Sequence, residues 1–199
     1  MTPWRSALTR YIEAEARPME KYGHQVRLFL LTVQVGEGLA YDIDVVCAAT
    51  WLHDLGVFTG HRPENREKLK AWDSVKYAME RTPSLLTDFG FPSDKIAAVV
   101  ECIRTHQSHL DPQTIEATIL RDADILEQLG AIGAMRTICK VGRDTRFDTF
   151  TDAVTSLRRA LDRLPGLLLL STSKVLAAPR IETLRMFVDA VDAEAQVLH

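Results

Sequence analysis

The stretch Ala48-Ala49-Thr50-Trp51-Leu52-His53-Asp54-Leu55-Gly56 places an adjacent histidine and aspartate at the end of an apolar run. Gly56 is typical of a residue that ends a helix. Burying a carboxylate there is unfavourable unless a partner compensates its charge. A divalent cation is a suitable partner, because imidazole and carboxylate together bind first-row metals. The stretch therefore predicts a buried helix end that carries a metal site, provided that other helices supply further ligands.

The remaining chain has the composition of an ordinary globular protein. Its 199 residues predict one domain over 1–199, with a core at about 20–140 and C-terminal helices at about 148–197. The formal net charge of −3 comes from mixed charges, so we expect no nucleic-acid polymer as a partner.

The sequence also bears on compartment and membrane association. Charged residues throughout 1–17 argue against a signal peptide, and Leu167–Leu170 is too short an apolar run to span a bilayer. The three cysteines, Cys47, Cys102 and Cys139, lie in apolar helical contexts and form no CxxC pair. We therefore expect a cytoplasmic protein with buried free thiols and no membrane partner.

Apolar spacing predicts an all-α fold, because period-two alternation is not sustained anywhere in the sequence. The predicted helices are Pro3–Ala16, Tyr22–Val35, a central helix from Asp42 or Asp44 to about Leu55, Pro63–Arg81, Pro92–Thr105, Pro112–Leu129, Asp148–Leu164 and Leu167–Val197. Pro83–Phe91 is expected to be irregular, and Pro179 is expected to interrupt the last segment. The architecture expected is a compact helical bundle with the metal site between its central helices.

Two further histidines fall on apolar helix faces. His24 heads the face of Leu28 and Leu31, and His106 ends the stripe that includes Val99. Each has a structural alternative, since a core histidine needs no metal. His61 is expected in a solvated loop.

Two aspartates on the sixth helix compete for one role. Periodicity places Asp122 on the stripe of Ile119 and Leu126, and Asp124 on the equally apolar side of Leu120. A carboxylate on either side needs a partner, and spacing alone leaves the choice open. With His24, His53 and Asp54, one of them completes a mixed nitrogen and oxygen site able to activate water.

The order His…His-Asp…Asp resembles that of the HD-domain superfamily of metal-dependent phosphohydrolases. Three stretches besides 48–56 are similar to the family's motifs: Gly23-His24-Gln25-Val26-Arg27, Ile103-Arg104-Thr105-His106, and Asp122-Ala123-Asp124-Ile125-Leu126-Glu127-Gln128-Leu129-Gly130-Ala131-Ile132-Gly133-Ala134-Met135-Arg136. The last looks like the DADxL…GAIGxxR stretch of small bacterial single-domain members, some of which are nucleotide pyrophosphohydrolases. The resemblance covers about residues 20–190.

The resemblance implies the ligand set and the reaction. It assigns His24, His53, Asp54 and Asp124 to one divalent ion (Mn, Fe, Co, Ni, Mg or Zn) and leaves Asp122 to orient a ligand or hold Arg121 or Arg136. It implies hydrolysis of a phosphoester or phosphoanhydride in a nucleotide or similar small molecule. His106 would bind phosphate or act as general acid.

The same resemblance suggests that Arg27 and Arg136 pair with phosphate oxygens, with structural salt bridges as the alternative. Two-metal members carry an extra histidine where this chain has Ala71-Trp72-Asp73-Ser74, and often two histidines where it has His106-Gln107. One ion is therefore expected, unless Asp73 substitutes for the missing ligand.

Two other functions compete with phosphohydrolysis. Cyanamide hydratases resemble the chain around His53-Asp54, and a non-catalytic, metal-stabilised ligand-binding domain is the alternative from another class. The 130–136 stretch favours the phosphohydrolase. Substrate choice is expected to depend on the loops Val57–Glu67 and His106–Pro112, and assembly into a homo-oligomer is left open.

Overall fold

The computed structural model describes residues 2–144 and 146–195, except for the side chain of Arg66. Over these residues the only β feature is an isolated bridge between Thr59 and Arg62, so the all-α prediction is confirmed. The α-helices of the described chain are α1 (Pro3–Glu15), α2 (Glu20–Val35), α3 (Ile43–Leu52), α4 (Arg66–Lys70), α5 (Ser74–Asp88), α6 (Ile96–Thr105), α7 (Ile115–Glu127), α8 (Gly130–Ile138), α9 (Phe150–Arg163) and α10 (Ser171–Glu194). Short 3-10 helices cover Leu55–Val57, Ser93–Lys95 and Pro165–Leu167.

The chain divides into two compact units, Met1–Arg121 and Asp122–His199, and the boundary falls within α7. In the first unit α3 is central and packs against α1, α2 and α6. Every residue from Val45 to Leu52 is buried, as its nearly uncharged sequence predicts. The Asp42 carboxylate caps α3 by accepting hydrogen bonds from the Asp44 and Val45 amides, which fixes where the helix begins.

The second unit is built from α8, α9 and α10, which pack against one another. The α9 helix begins with a capping box, in which Thr149 and Asp152 each bond the other's backbone amide. Its apolar stripe, Ala153, Val154 and Leu157, is buried. The sequence does not predict α8, because the small residues of 130–138 give a weak periodic signal.

Two proline predictions were wrong. The segment Pro83–Phe91 was expected to be irregular, but α5 continues through Pro83 to Asp88. The predicted helix over Pro63–Arg81 is also divided, into α4 and α5. Pro179 likewise lies inside α10 without ending it. An internal proline removes one backbone donor and clashes with the preceding turn, but buried residues on both sides hold these helices together. In α5 these residues are Thr82, Leu85 and Leu86.

The cysteines match expectation in part. Cys47 and Cys102 are buried and free, whereas Cys139 is exposed just after α8. The predicted end of the tail helix at 196–197 lies outside the described residues, as does residue 145, for which the sequence predicts a polar loop over 142–146. Within the described chain, no helix combines the length and apolar character needed to cross a bilayer.

Candidate metal centre

The His-Asp pair lies where α3 ends. His53 is the C-cap residue and keeps helical dihedral angles, with its amide donating to Ala49 O at 2.9 Å. Asp54 leaves the helix at φ −98° and ψ 11°, a sparsely populated bridge conformation. This change of direction brings the two side chains together, and His53 Nε2 lies 3.7 Å from Asp54 Oδ1. The predicted convergence at a helix end is therefore observed.

His24 approaches the same carboxylate from α2. Its Nε2 lies 3.7 Å from Asp54 Oδ2, and the ligand nitrogens of His24 and His53 are within 4.8 Å of each other. Both imidazoles are 2% exposed, and the Asp54 side chain is 20% exposed. Two buried imidazoles thus face the two oxygens of one partly accessible carboxylate.

The donor set fits a divalent ion. His53 Nδ1 donates to the Thr50 carbonyl at 2.8 Å, which leaves the Nε2 lone pair directed at Asp54. The 3.7 Å spacings exceed hydrogen-bond length and suit donors that each lie roughly 2.1 Å from one shared ion. The residues of the first unit can therefore hold a metal.

His106 forms the third imidazole of this cluster. It follows α6, is 6% exposed, and its ring centroid lies 5.0 Å from that of His53. Its Nδ1 donates to the Ile103 carbonyl at 2.6 Å, so Nε2 is the nitrogen left for other chemistry. The sequence prediction that His106 faces inward is confirmed.

The cluster keeps Asp54 ionised. Burial acts to raise the pKa of its carboxyl group, but the electrostatic effect of neighbouring basic side chains outweighs burial and holds this pKa well below its ordinary value. The side chains that lower it are, in decreasing order, His53, Lys21, His24 and His106. Asp54 is therefore a carboxylate throughout the physiological pH range, as a metal ligand must be.

Gly56 is explained by close packing rather than by a helix stop. It does not have a positive φ, and α3 has already ended at Leu52. A Cβ on Gly56 would lie 2.3 Å from the Ser74 carbonyl oxygen at the start of α5. The Trp72 indole also donates to Gly56 O at 2.7 Å. These contacts support the chain directly after Asp54.

This geometry can be compared with known families. A model of the HD domain matches residues 22–129, which is more than half of the chain. The chain belongs to the HD domain family. A comparison with curated protein sequences finds no significant match.

Solved structures share the fold of this HD domain protein. Lin1889 from Listeria innocua has a TM-score of 0.73 at 19% identity, covering 100% of both chains. Bacillus subtilis YpgQ in complex with ADP has a TM-score of 0.71 at 20% identity, covering 96% of this chain and 98% of YpgQ. An HD-superfamily hydrolase from Bacillus thuringiensis has a TM-score of 0.68 at 18% identity, covering 97% of each. At these identities the likeness establishes the fold.

The other predicted site residues of the HD domain have identifiable partners. In the second unit, the buried Asp122 carboxylate accepts hydrogen bonds from the Leu169 and Leu170 amides, directly before α10. Arg136 Nη1 lies 2.6 Å from the buried carboxylate of Glu127. These contacts are the structural alternatives considered for both residues, and their catalytic roles stay predictions.

Asp124 and Arg27 each lie beside a residue one helical turn away along the chain. Asp124 is half-buried on α7, with the Gln128 side-chain amide 3.2 Å from its Oδ2. Its role as a ligand stays a prediction from the motif. Arg27 folds back along α2, so that a Cβ on Gly23 would lie 3.2 Å from its Nη1.

Sequence reasoning missed or misjudged three polar residues, Lys21, Arg121 and His61. Lys21 acts on the Asp54 carboxylate but looked like an ordinary solvated lysine. Arg121 is 4% exposed and donates to the Ser108 and Leu110 carbonyls, thereby holding the loop after His106. The solvated-loop prediction for His61 was wrong, because its ring nitrogens contact Glu15 Oε2 at 2.9 Å and the Tyr77 hydroxyl at 3.0 Å.

Proposed function

We propose that this HD domain protein is a metal-dependent hydrolase that cleaves a phosphoester or phosphoanhydride bond in a nucleotide or similar small molecule. The observation that carries the proposal is the pair of buried imidazoles, His24 and His53, each with Nε2 3.7 Å from a different oxygen of Asp54. A site of nitrogen and carboxylate donors that stays partly accessible suits metal-assisted hydrolysis. The proposed setting is the cytoplasm, with a small phosphorylated molecule as the partner.

The proposed ligands are His24, His53, Asp54 and, from the motif resemblance, Asp124. They would hold one divalent ion: Mn, Fe, Co, Ni, Mg or Zn. When bound, such an ion polarises a phosphoryl oxygen and makes water a better nucleophile. The proposal of a single ion is supported by Asp73, whose carboxylate accepts from the Lys76 amide as the N-cap of α5 and so has a structural use.

The chain's own groups position the reaction. The hydrogen bond from His53 Nδ1 to Thr50 fixes its ring orientation and tautomer before substrate arrives. The corresponding bond from His106 to Ile103 leaves His106 Nε2 to bind a phosphate oxygen as imidazolium or to give a proton to the leaving group. Arg27 is the proposed arginine partner of the substrate's phosphate.

The nucleotide part of the proposal is supported by one structural neighbour. Bacillus subtilis YpgQ has been solved in complex with ADP, and it shares the fold over 96% of this chain. The cluster on this chain offers the same combination of imidazole and carboxylate donors that binds metal–phosphate ligands in general. We therefore propose a nucleoside phosphate as the first substrate class to test.

The test is release of phosphate and pyrophosphate from a panel of nucleotides and phosphoesters with Mn²⁺, comparing wild type with Asp54→Ala. We expect release by the wild type and none by the variant. Cyanamide, assayed in parallel, distinguishes the hydratase alternative, and Arg27→Ala should weaken phosphate release alone. Cyanamide hydration by a metal-loaded wild type that releases no phosphate from any panel member would refute the proposal.

A further inference from the structure

We infer that His61 is a positioning residue of the metal centre, because it ties the turn that follows Asp54 to helices α1 and α5. This turn is Phe58–Arg62. The inference rests on the proposed function, since it gives a purpose to the chain that leads away from a proposed metal ligand. Contacts between distant segments carry it, because the sequence around His61 is only that of a polar loop.

The turn is connected to Asp54 by backbone hydrogen bonds. The Asp54 carbonyl accepts from the Val57 amide at 3.0 Å. The Phe58 carbonyl accepts from the amides of His61 and Arg62, at 3.0 and 3.1 Å. Phe58 is fully buried and anchors the turn to the core. A displacement of the turn would therefore be transmitted to the backbone of Asp54.

The His61 side chain bridges two helices. Its Nε2 lies 2.9 Å from Glu15 Oε2 at the end of α1, and its Nδ1 lies 3.0 Å from the Tyr77 hydroxyl on α5. The His61 side chain is 9% exposed, and its ring packs edge-on against Phe58 with centroids 6.1 Å apart. Because a phenol can donate or accept, the bridge is satisfied by neutral His61 with its proton on Nε2 and by the imidazolium.

The same two sides of the unit hold the segment at other points. The Thr59 amide donates to the Arg17 carbonyl, just after α1, at 2.9 Å. The Trp72 indole, which donates to Gly56 O, packs against Tyr77 with ring centroids 5.3 Å apart. His61 reaches both sides with one side chain. A single substitution there should release the turn from α1 and α5 together.

The experiment measures local opening by hydrogen exchange with mass spectrometry, and Mn²⁺ affinity by isothermal titration. His61→Leu removes both side-chain hydrogen bonds and keeps an apolar side chain. At the usual net strength of two hydrogen bonds, amide exchange over 57–62 should become about 10- to 100-fold faster. Mn²⁺ should bind about 3- to 10-fold more weakly, a smaller loss than the roughly 10- to 100-fold typical of residues that touch a metal ligand directly.

Controls separate positioning from general damage to the fold. Amide exchange over Val45–Leu52, in the buried helix α3, should keep its wild-type rate in His61→Leu. Glu15→Gln keeps an oxygen that accepts from Nε2 and should resemble wild type, whereas Glu15→Ala should reproduce part of the His61→Leu effect. Glu13→Ala removes an exposed carboxylate from the same helix and should change neither readout.

The outcomes distinguish the inference from the proposed function. Unchanged exchange over 57–62 in His61→Leu, equal acceleration over 57–62 and α3, or wild-type Mn²⁺ affinity would each show the inference to be wrong. A wild type that binds no Mn²⁺ would overturn the metal site and the inference together. If exchange and Mn²⁺ affinity depend on His61 as expected but no nucleotide is hydrolysed, the inference stands and the hydrolase function fails.

Discussion

The substitution Gly56→Ala tests the idea that packing against α5 holds Asp54 in place. The added Cβ would lie 2.3 Å from Ser74 O, 2.7 Å from Ser74 Cα and 2.9 Å from the Ser74 carbonyl carbon. All three are backbone atoms, which cannot rotate away as a side chain could. Since nonbonded carbon atoms sit about 3.5–4.0 Å apart, the two segments must separate by roughly 1 Å.

The expected loss of stability follows from that displacement. Overpacking of this kind costs about 1–3 kcal/mol, and weakening the Trp72-to-Gly56 hydrogen bond adds about 1 kcal/mol. A total of about 2–4 kcal/mol lowers the urea midpoint by roughly 1–2 M, given a slope of about 2 kcal/mol per M. Because Asp54 lies two residues away, Mn²⁺ binding should weaken in the same variant.

The assay is urea unfolding followed by circular dichroism, with and without Mn²⁺. Gly166→Ala is the matched control, because its Cβ would meet no atom within 4 Å and its φ is not positive. The control should stay within about 0.5 kcal/mol of wild type or gain slightly. A Gly56→Ala protein with wild-type midpoint and wild-type Mn²⁺ affinity would refute the packing argument.

Three further outcomes follow from other contacts. Arg136→Ala should lower stability by about 2–4 kcal/mol in urea unfolding, because it removes the guanidinium 2.6 Å from the buried Glu127 carboxylate, at a site where Arg136 is 24% exposed; an unchanged midpoint would contradict this. Asp122→Ala should cost about 2–3 kcal/mol by removing the acceptor for two backbone amides before α10, and a thermal scan that matches wild type would show that acceptor to be dispensable. Burial raises the pKa of Cys47 to about 11 and of Cys102 to about 12, whereas Cys139 is exposed. A thiol reagent at pH 8 should therefore label one cysteine in the native protein and three after unfolding, and rapid labelling of all three in the native protein would contradict this.

Patterns within single helices predicted much of the fold and part of the site. An almost uncharged α3 had to be central, and the apolar faces of α2 and α6 carried His24 and His106 inward, where the structure places them. The His-Asp pair had to meet beside the helix end. These are consequences of helical periodicity and of the energetic cost of burying charge.

Contacts between distant segments could not be predicted in this way. His61 looked solvated because its partners, Glu15 and Tyr77, lie 46 and 16 residues away. Gly56 looked like a helix stop because its contact with Ser74 depends on how α5 packs. Lys21 falls in the first turn of an amphipathic helix, where a lysine is usually solvated, and its lowering of the Asp54 pKa depends on the packing of α2 against α3.

The most direct test of the proposed function is the rate of nucleotide hydrolysis as a function of Mn²⁺ concentration, measured beside Mn²⁺ binding on the same samples. The wild type should release phosphate or pyrophosphate in proportion to the fraction of protein that binds the ion. His24→Ala and Asp54→Ala should lose binding and release together, because each removes one side of the 3.7 Å contact between them. Hydrolysis that persists in either variant, or a metal-loaded wild type that hydrolyses no nucleotide, would contradict the account.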